Sequence, residues 1–89
     1  MSFEYDPAKS AANKAKHGID FIEAQALWRD DGLVETMSKA NAADELRFLA
    51  IGQIDGRHWT AICTFRGEAI RIISVRRARK EEMGYYDGS

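Results

Sequence analysis

The 89-residue sequence predicts a small α+β domain. In it a small antiparallel sheet carries two N-terminal helices and one C-terminal helix, in the order β-α-α-β-β-β-β-α. Three observations lead there. Helix-bounding residues punctuate the first third of the chain. Residues 46–76 alternate in polarity and are interrupted by two tight-turn signals, Asp55-Gly56 and Gly67-Glu68. After Arg76 the apolar spacing becomes helical. With 45% apolar residues, a chain of this length forms one domain, residues 1–89, with a small core.

"FEYD", residues 3–6, reads as a short strand. In "DPAKSAANKAKHG", Asp6 can cap a helix, Pro7 suits its first position and Gly18 suits the left-handed site at its end. Ala8, Ala11, Ala12 and Ala15 form a small-residue stripe. Lys14, Lys16 and His17 load the C-terminal end, where cations complement the helix dipole. "DFIEAQALWRDDG" reads as a second helix, with Asp20 and Glu23 as a capping box and Phe21, Ala24, Leu27 and Trp28 as its apolar face. "LVETMS", residues 33–38, reads as a strand and "KANAADE" as a loop.

Asp55-Gly56 predicts a two-residue hairpin. It pairs Ile54 with Arg57, Gly52 with Trp59, Ala50 with Ala61, Phe48 with Cys63 and Arg47 with Thr64. Gly67-Glu68 predicts a second, pairing Phe65 with Ile70, Thr64 with Arg71, Cys63 with Ile72 and Trp59 with Arg76. One face then holds Phe48, Ala50, Trp59, Ala61, Cys63, Phe65, Ile70 and Ile72, and the two N-terminal helices are expected to cover it. The other face holds Leu49, Ile51, Ile62, Ile73 and Val75. At its end Arg47, Thr64 and Arg71 form a row, with Arg66 beside them. Three guanidinium groups at one end of one face repel one another unless an anion sits among them. A partner's carboxylates or an RNA phosphate would relieve them, and so would Glu35, Glu45 or Glu68 from within. Beyond Arg76, Ala78, Glu82 and Tyr85 share one helical stripe and Arg79, Met83 and Tyr86 the next. Arg77 and Glu81 are spaced to pair, and Gly84 weakens the helix by about 1 kcal/mol relative to alanine.

Charge is distributed unevenly. Residues 1–45 carry five Lys or Arg against nine Asp or Glu, a net of −4. Residues 46–89 carry eight against five, a net of +3, and seven of those eight cations are arginine. Arginine suits bidentate phosphate contact, so the second half is the candidate for an anionic partner, although ordinary solvated charge would look the same. Cys63 is the only cysteine, which excludes an internal disulfide and a zinc–cysteine cluster and suits a reducing cytoplasm. It falls on the predicted core face and reads as a small buried hydrophobe. No signal-peptide pattern and no membrane-spanning apolar run is visible.

Metal, phosphate-loop and serine- or cysteine-nucleophile motifs are missing, and His17 and His58 do not form a ligand cluster. What remains is a set of arginines with His17, Glu81 or Glu82, and Tyr85 or Tyr86. Metal-free RNA cleavage needs little more. The 2′-hydroxyl attacks the adjacent phosphate, a base takes its proton, an acid protonates the leaving 5′-oxygen, and cations hold the phosphorane charge. Each residue also has a plainer reading: His17 and Lys16 as helix-end cations, Tyr86 as a packing residue, residues 76–80 as a solvated basic helix.

The chain resembles the BrnT family of type II toxin–antitoxin toxins over nearly its whole length. "FEYDPAKSAANKAKHGIDFIEA" matches the family's N-terminal block at Asp6, Pro7, Lys9, Asn13, Lys16, His17, Gly18, Phe21, Glu23 and Ala24. "ELRFLAIG" matches its central segment at Glu45 and Arg47. "TFRGEAIRIISVRRARKEEMGYY" matches its terminal block at Thr64, Arg66, Arg71, Ile73, Ser74, Arg76, Ala78, Glu82 and Tyr86. The resemblance implies a RelE-like fold and a toxin that cleaves RNA without a metal and inhibits translation. It also implies a BrnA-like antitoxin, through which alone the pair would reach operator DNA.

The resulting expectation is an endoribonuclease toxin with no cofactor. Arg66 and Arg76 are the expected phosphate clamps, supported by Arg47 and Arg71. His17 and Glu82 are the acid–base candidates, with Tyr86 a third, and Lys16, Arg77, Arg79 and Lys80 track the RNA backbone. The predicted registers put Arg76 near Trp59, on the face opposite Arg66, so the two clamps meet only if the sheet end curls or the helix starts at Arg76. Two rivals stand beside this reading: a binding module that only holds an acidic protein segment, and a nucleic-acid-binding regulator without cleavage.

Overall fold

The computed structural model describes residues 1–38 and 46–88; the expected "KANAADE" loop, which ends in Glu45, lies outside them. The elements are β1 (Ser2–Glu4), α1 (Pro7–His17), a 3-10 helix (Glu23–Arg29), β2 (Val34–Met37), β3 (Arg47–Ile54), β4 (Arg57–Arg66), β5 (Ala69–Arg77) and α2 (Lys80–Asp87). The sheet has five strands in the order β1-β5-β4-β3-β2. It is mixed rather than purely antiparallel, because β1 runs parallel to β5. That arrangement sets Phe3 beside Ile70, where the Phe3 ring meets Trp28 edge-on at 4.9 Å. On the other face it sets Glu4 beside Arg71.

The first hairpin pairs as expected, from Ile54–Arg57 to Arg47–Thr64. Its turn places Asp55 and Gly56 at φ 51° and 80°, the left-handed conformation a two-residue turn demands. The core lies on the expected face. Phe48, Ala50, Trp59, Ala61, Cys63, Ile70 and Ile72 are buried there under Ile19, Phe21, Ala24 and Leu27. Phe65 is the exception: it stacks on Phe48 at 4.6 Å but stays 62% exposed at the hairpin end. Burial pushes the Cys63 thiol up to about 12, with Glu35 adding to the effect, so this cysteine is inert.

Two helical expectations are corrected, and the buried side of α1, which the sequence left open, is visible. The alanine stripe of α1 faces solvent; the helix buries Ser10 and Asn13 instead. Asn13 Nδ2 donates to the carbonyls of Ile19 (2.8 Å) and Val75 (2.9 Å), and its Oδ1 accepts from Val75 N–H (3.1 Å). Ser10 Oγ accepts from Phe21 N–H at 2.9 Å. β1 pairs only as far as Arg71, so β5 has an open edge beyond it, and Asn13 supplies what a further strand would have supplied. The second helix is 3-10, although its capping box is formed: Asp20 Oδ1 accepts from Glu23 N–H at 2.7 Å and Glu23 Oε1 from Asp20 N–H at 3.0 Å. The last helix starts at Lys80, not Arg76, so Arg77 ends a strand and Arg79 is the cap. No helix among the described residues is long and apolar enough to cross a membrane.

Candidate functional site

One irregularity in β5 assembles the site. Cys63 pairs with Ile72, but Ile62 pairs with Ser74, leaving Ile73 as an extra residue. This bulge reverses which face each later side chain occupies. Val75 turns into the core, where it is fully buried, rather than onto the second face. Arg76 pairs with Thr60, not Trp59, and so joins the face of Arg47 and Arg66. Arg77 takes the place opposite Trp59 and lies 5.4 Å above its ring, a cation–π contact in place of the expected pair with Glu81.

On the second face α2 crosses the sheet and brings Glu82 to Arg76. The pair is a two-pronged fork, Nη1 to Oε1 at 2.7 Å and Nη2 to Oε2 at 2.9 Å. Glu82 Oε1 also accepts from Thr60 Oγ1 (2.9 Å) and from Arg79 N–H (2.8 Å). The Glu82 side chain is only 7% exposed. Burial alone would raise its carboxyl, but the bonds from Arg76, Arg79 N–H and Thr60 outweigh it and hold it at about 2. Glu82 is therefore a fixed anion at neutral pH and a poor proton carrier. Its chemistry is to set the plane and position of the Arg76 guanidinium.

Beside this pair a cleft of about 520 Å³ opens between the sheet, the end of β2 and α2. Leu49, Ile62 and Ile73 make its apolar floor. Arg47, Arg76 and Arg79 supply its cations, and Thr36, Ser38 and Ser74 supply hydroxyls. Glu81, Glu82 and Tyr85 complete the α2 side. Arg79 is exposed and makes no ion pair among the described residues. Such a cleft, with guanidinium groups and hydroxyls over an apolar floor, suits a phosphodiester with an attached base or sugar.

Of the residues expected from the sequence, the cleft gathers Arg47, Arg76, Arg79 and Glu82. Arg66 is exposed at the far end of β4, six residues from Thr60, which is about 20 Å of strand. Arg71 is paired with Glu4 of β1 at 3.1 Å, not with Glu35 or Glu68. Lys16 and His17 end α1, in the layer that covers the opposite face of the sheet. Lys80 is exposed at the start of α2. Tyr86 turns away from the cleft: its hydroxyl donates to Asp30 Oδ2 at 2.9 Å, and the His58 ring meets it edge-on at 5.0 Å. That bond raises the Tyr86 phenol, while Asp30 is held low, first by Gln53 N–H and then by Gly32 N–H and Tyr86. The sequence pattern also omitted Thr36, Ser38 and Ser74 as cleft residues. Alternation could have found Thr36, which pairs with Leu49 on the second face, whereas Ser74 reaches that face, opposite Ile62, only through the bulge.

The family model described as the ribonuclease toxin, BrnT, of type II toxin–antitoxin systems matches residues 5–82. The chain belongs to this family and is thereby a ribonuclease toxin, with RNA as its substrate class and an antitoxin as its partner. No curated protein matches the chain.

Proposed function

We propose that this member of the family is a metal-independent endoribonuclease that works at the second-face cleft, inhibits translation in the cytoplasm, and is neutralised by a BrnA-like antitoxin through which the pair reaches operator DNA. We also read the fold as RelE-like. The observation that carries the site is the bulge at Ile73, which puts Arg76 on the face of Arg47 beside Arg79. Arg76, held by Glu82, clamps the scissile phosphate and takes up the charge of the phosphorane. Arg79 and Arg47 flank it. Glu81, an exposed carboxylate lining the same cleft, is the proton acceptor. Glu82 positions Arg76 and does not shuttle protons. Arg66, Arg71, Arg77, Lys16 and Lys80 contribute at a distance, along the RNA backbone. His17 and Tyr86 act through the fold rather than on the phosphate.

The test is purified toxin, free of antitoxin, incubated with RNA in EDTA. Cleavage that Arg76→Ala abolishes supports the reading, and intact RNA with wild type overturns it. The cleft contains no histidine, which favours one rival, a module that only binds an acidic protein segment. That rival predicts antitoxin binding with no cleavage in the same experiment.

A further inference from the structure

We propose that Tyr85 is the base-binding residue of the cleft, so that the toxin takes RNA as an unpaired strand, one nucleotide seated at the scissile position. The inference rests on the reading of the cleft as the RNA site and goes beyond it by naming the feature of RNA that is recognised. Successive residues on an α-helix point about 100° apart. Tyr86 is turned to Asp30, and this leaves Tyr85 at the mouth of the cleft, 47% exposed. Its hydroxyl donates to Glu81 Oε1 at 3.2 Å, which holds the phenol end and leaves the ring available.

The same cleft is lined by the apolar side chains of Leu49, Ile62 and Ile73 and by Arg76 and Arg79. An aromatic face with guanidinium groups next to it is the combination that holds an unstacked base and its phosphate together. Size agrees with a single nucleotide, since about 520 Å³ is room for one small ligand and not for a helix. Bases inside a duplex are stacked on one another and present no face to a side chain.

The experiment uses the full chain and a single-stranded 2′-O-methyl RNA hexamer, which binds but lacks the attacking hydroxyl. Titration calorimetry compares wild type, Tyr85→Ala and Tyr85→Phe, with melting curves confirming that each is folded. Loss of one base–aromatic stack corresponds to weakening of about tenfold in Tyr85→Ala, with Tyr85→Phe binding as wild type does. The same hexamer annealed to its complement should bind at least about tenfold more weakly than the single strand. Equal binding by wild type and Tyr85→Ala, equal binding of single strand and duplex, or no binding by wild type overturns the proposal. Cleavage of unmodified RNA is measured alongside. Wild type that binds the hexamer through Tyr85 yet leaves RNA intact refutes the nuclease reading alone. Wild type that cleaves while Tyr85→Ala binds normally refutes the role of Tyr85 alone.

Discussion

Replacing Glu82 by glutamine keeps the side chain's shape and removes its charge. In the wild type the folded state holds this carboxyl at about 2 against an ordinary value of 4.5. A folded-state value below the unfolded one means that the unfolded chain binds the proton more readily. The charge therefore stabilises the fold above the unfolded value, and that contribution is lost as pH falls toward 2. The difference of about 2.5 units is worth about 3 kcal/mol at pH 7, falling to about 1.4 kcal/mol at pH 3. The 7% exposure of the side chain justifies using that figure without a large discount for solvent screening. Arg76, with 20% of its side chain exposed, can turn toward water when Glu82 is neutral, so the variant should still fold. Urea unfolding of wild type and Glu82→Gln at pH 7 and pH 3 measures the gap directly. A gap of about 3 kcal/mol that roughly halves at the lower pH supports a fixed buried anion. A gap that is the same at both pH values would refute it, because it would show that shape or packing, not charge, is what the substitution removes.

Three further outcomes follow from the packing. Gly84→Ala should stabilise the protein by about 1 kcal/mol in thermal melting, because the position is mid-helix and a β-carbon there meets nothing within 4 Å. Asn13→Ala should cost about 2–4 kcal/mol in urea unfolding, since it strips the open edge of β5 of its partner and leaves buried backbone groups at Val75 and Ile19 unpaired. Gly52→Ala should cost about 1–3 kcal/mol, because its β-carbon would come within 3.1 Å of Asp30 Oδ2 and Leu27 Cδ2 and 3.2 Å of Leu33 Cδ1.

Much of the fold was legible because local chemistry decided it. Asp55-Gly56 specifies a turn whose register follows without tertiary information, and every pair it implied is present. The ends of α1 were equally readable: Asp6 Oδ1 accepts from Ala8 N–H at 2.9 Å, and Gly18 sits at φ 82°. The inner face of α1 was not readable, because alanine periodicity signals helix without signalling burial. Ser10 and Asn13 are buried for the backbone groups they satisfy, and which groups need satisfying depends on where β1 stops pairing. The partner of Arg71 was hidden for the same reason: the parallel placement of β1 that brings Glu4 alongside is a tertiary fact. Tyr85 and Tyr86 are adjacent, so their roles depend on the rotation of α2, which the Tyr86–Asp30 bond fixes across 56 positions of chain.

The bulge is the case where one residue decides what faces the candidate site. Strict alternation from the Gly67 turn carries Ile70 and Ile72 into the core and then puts Ser74 there, followed by Arg76. Both are costly to bury without partners, while Val75 on the outer face would leave the core short of a fully buried side chain. Inserting Ile73 as an unpaired residue exchanges them: Val75 goes in, Ser74 and Arg76 go out. The same shift satisfies both arginines at the strand end, Arg77 over Trp59 and Arg76 against Glu82. The spacing of Ile72 and Val75, three residues apart in a strand that needs both buried, is thus the sequence's own sign of the bulge. The apolar demand of the core is what turns Arg76 outward to the cleft, so the site is built by the packing beneath it.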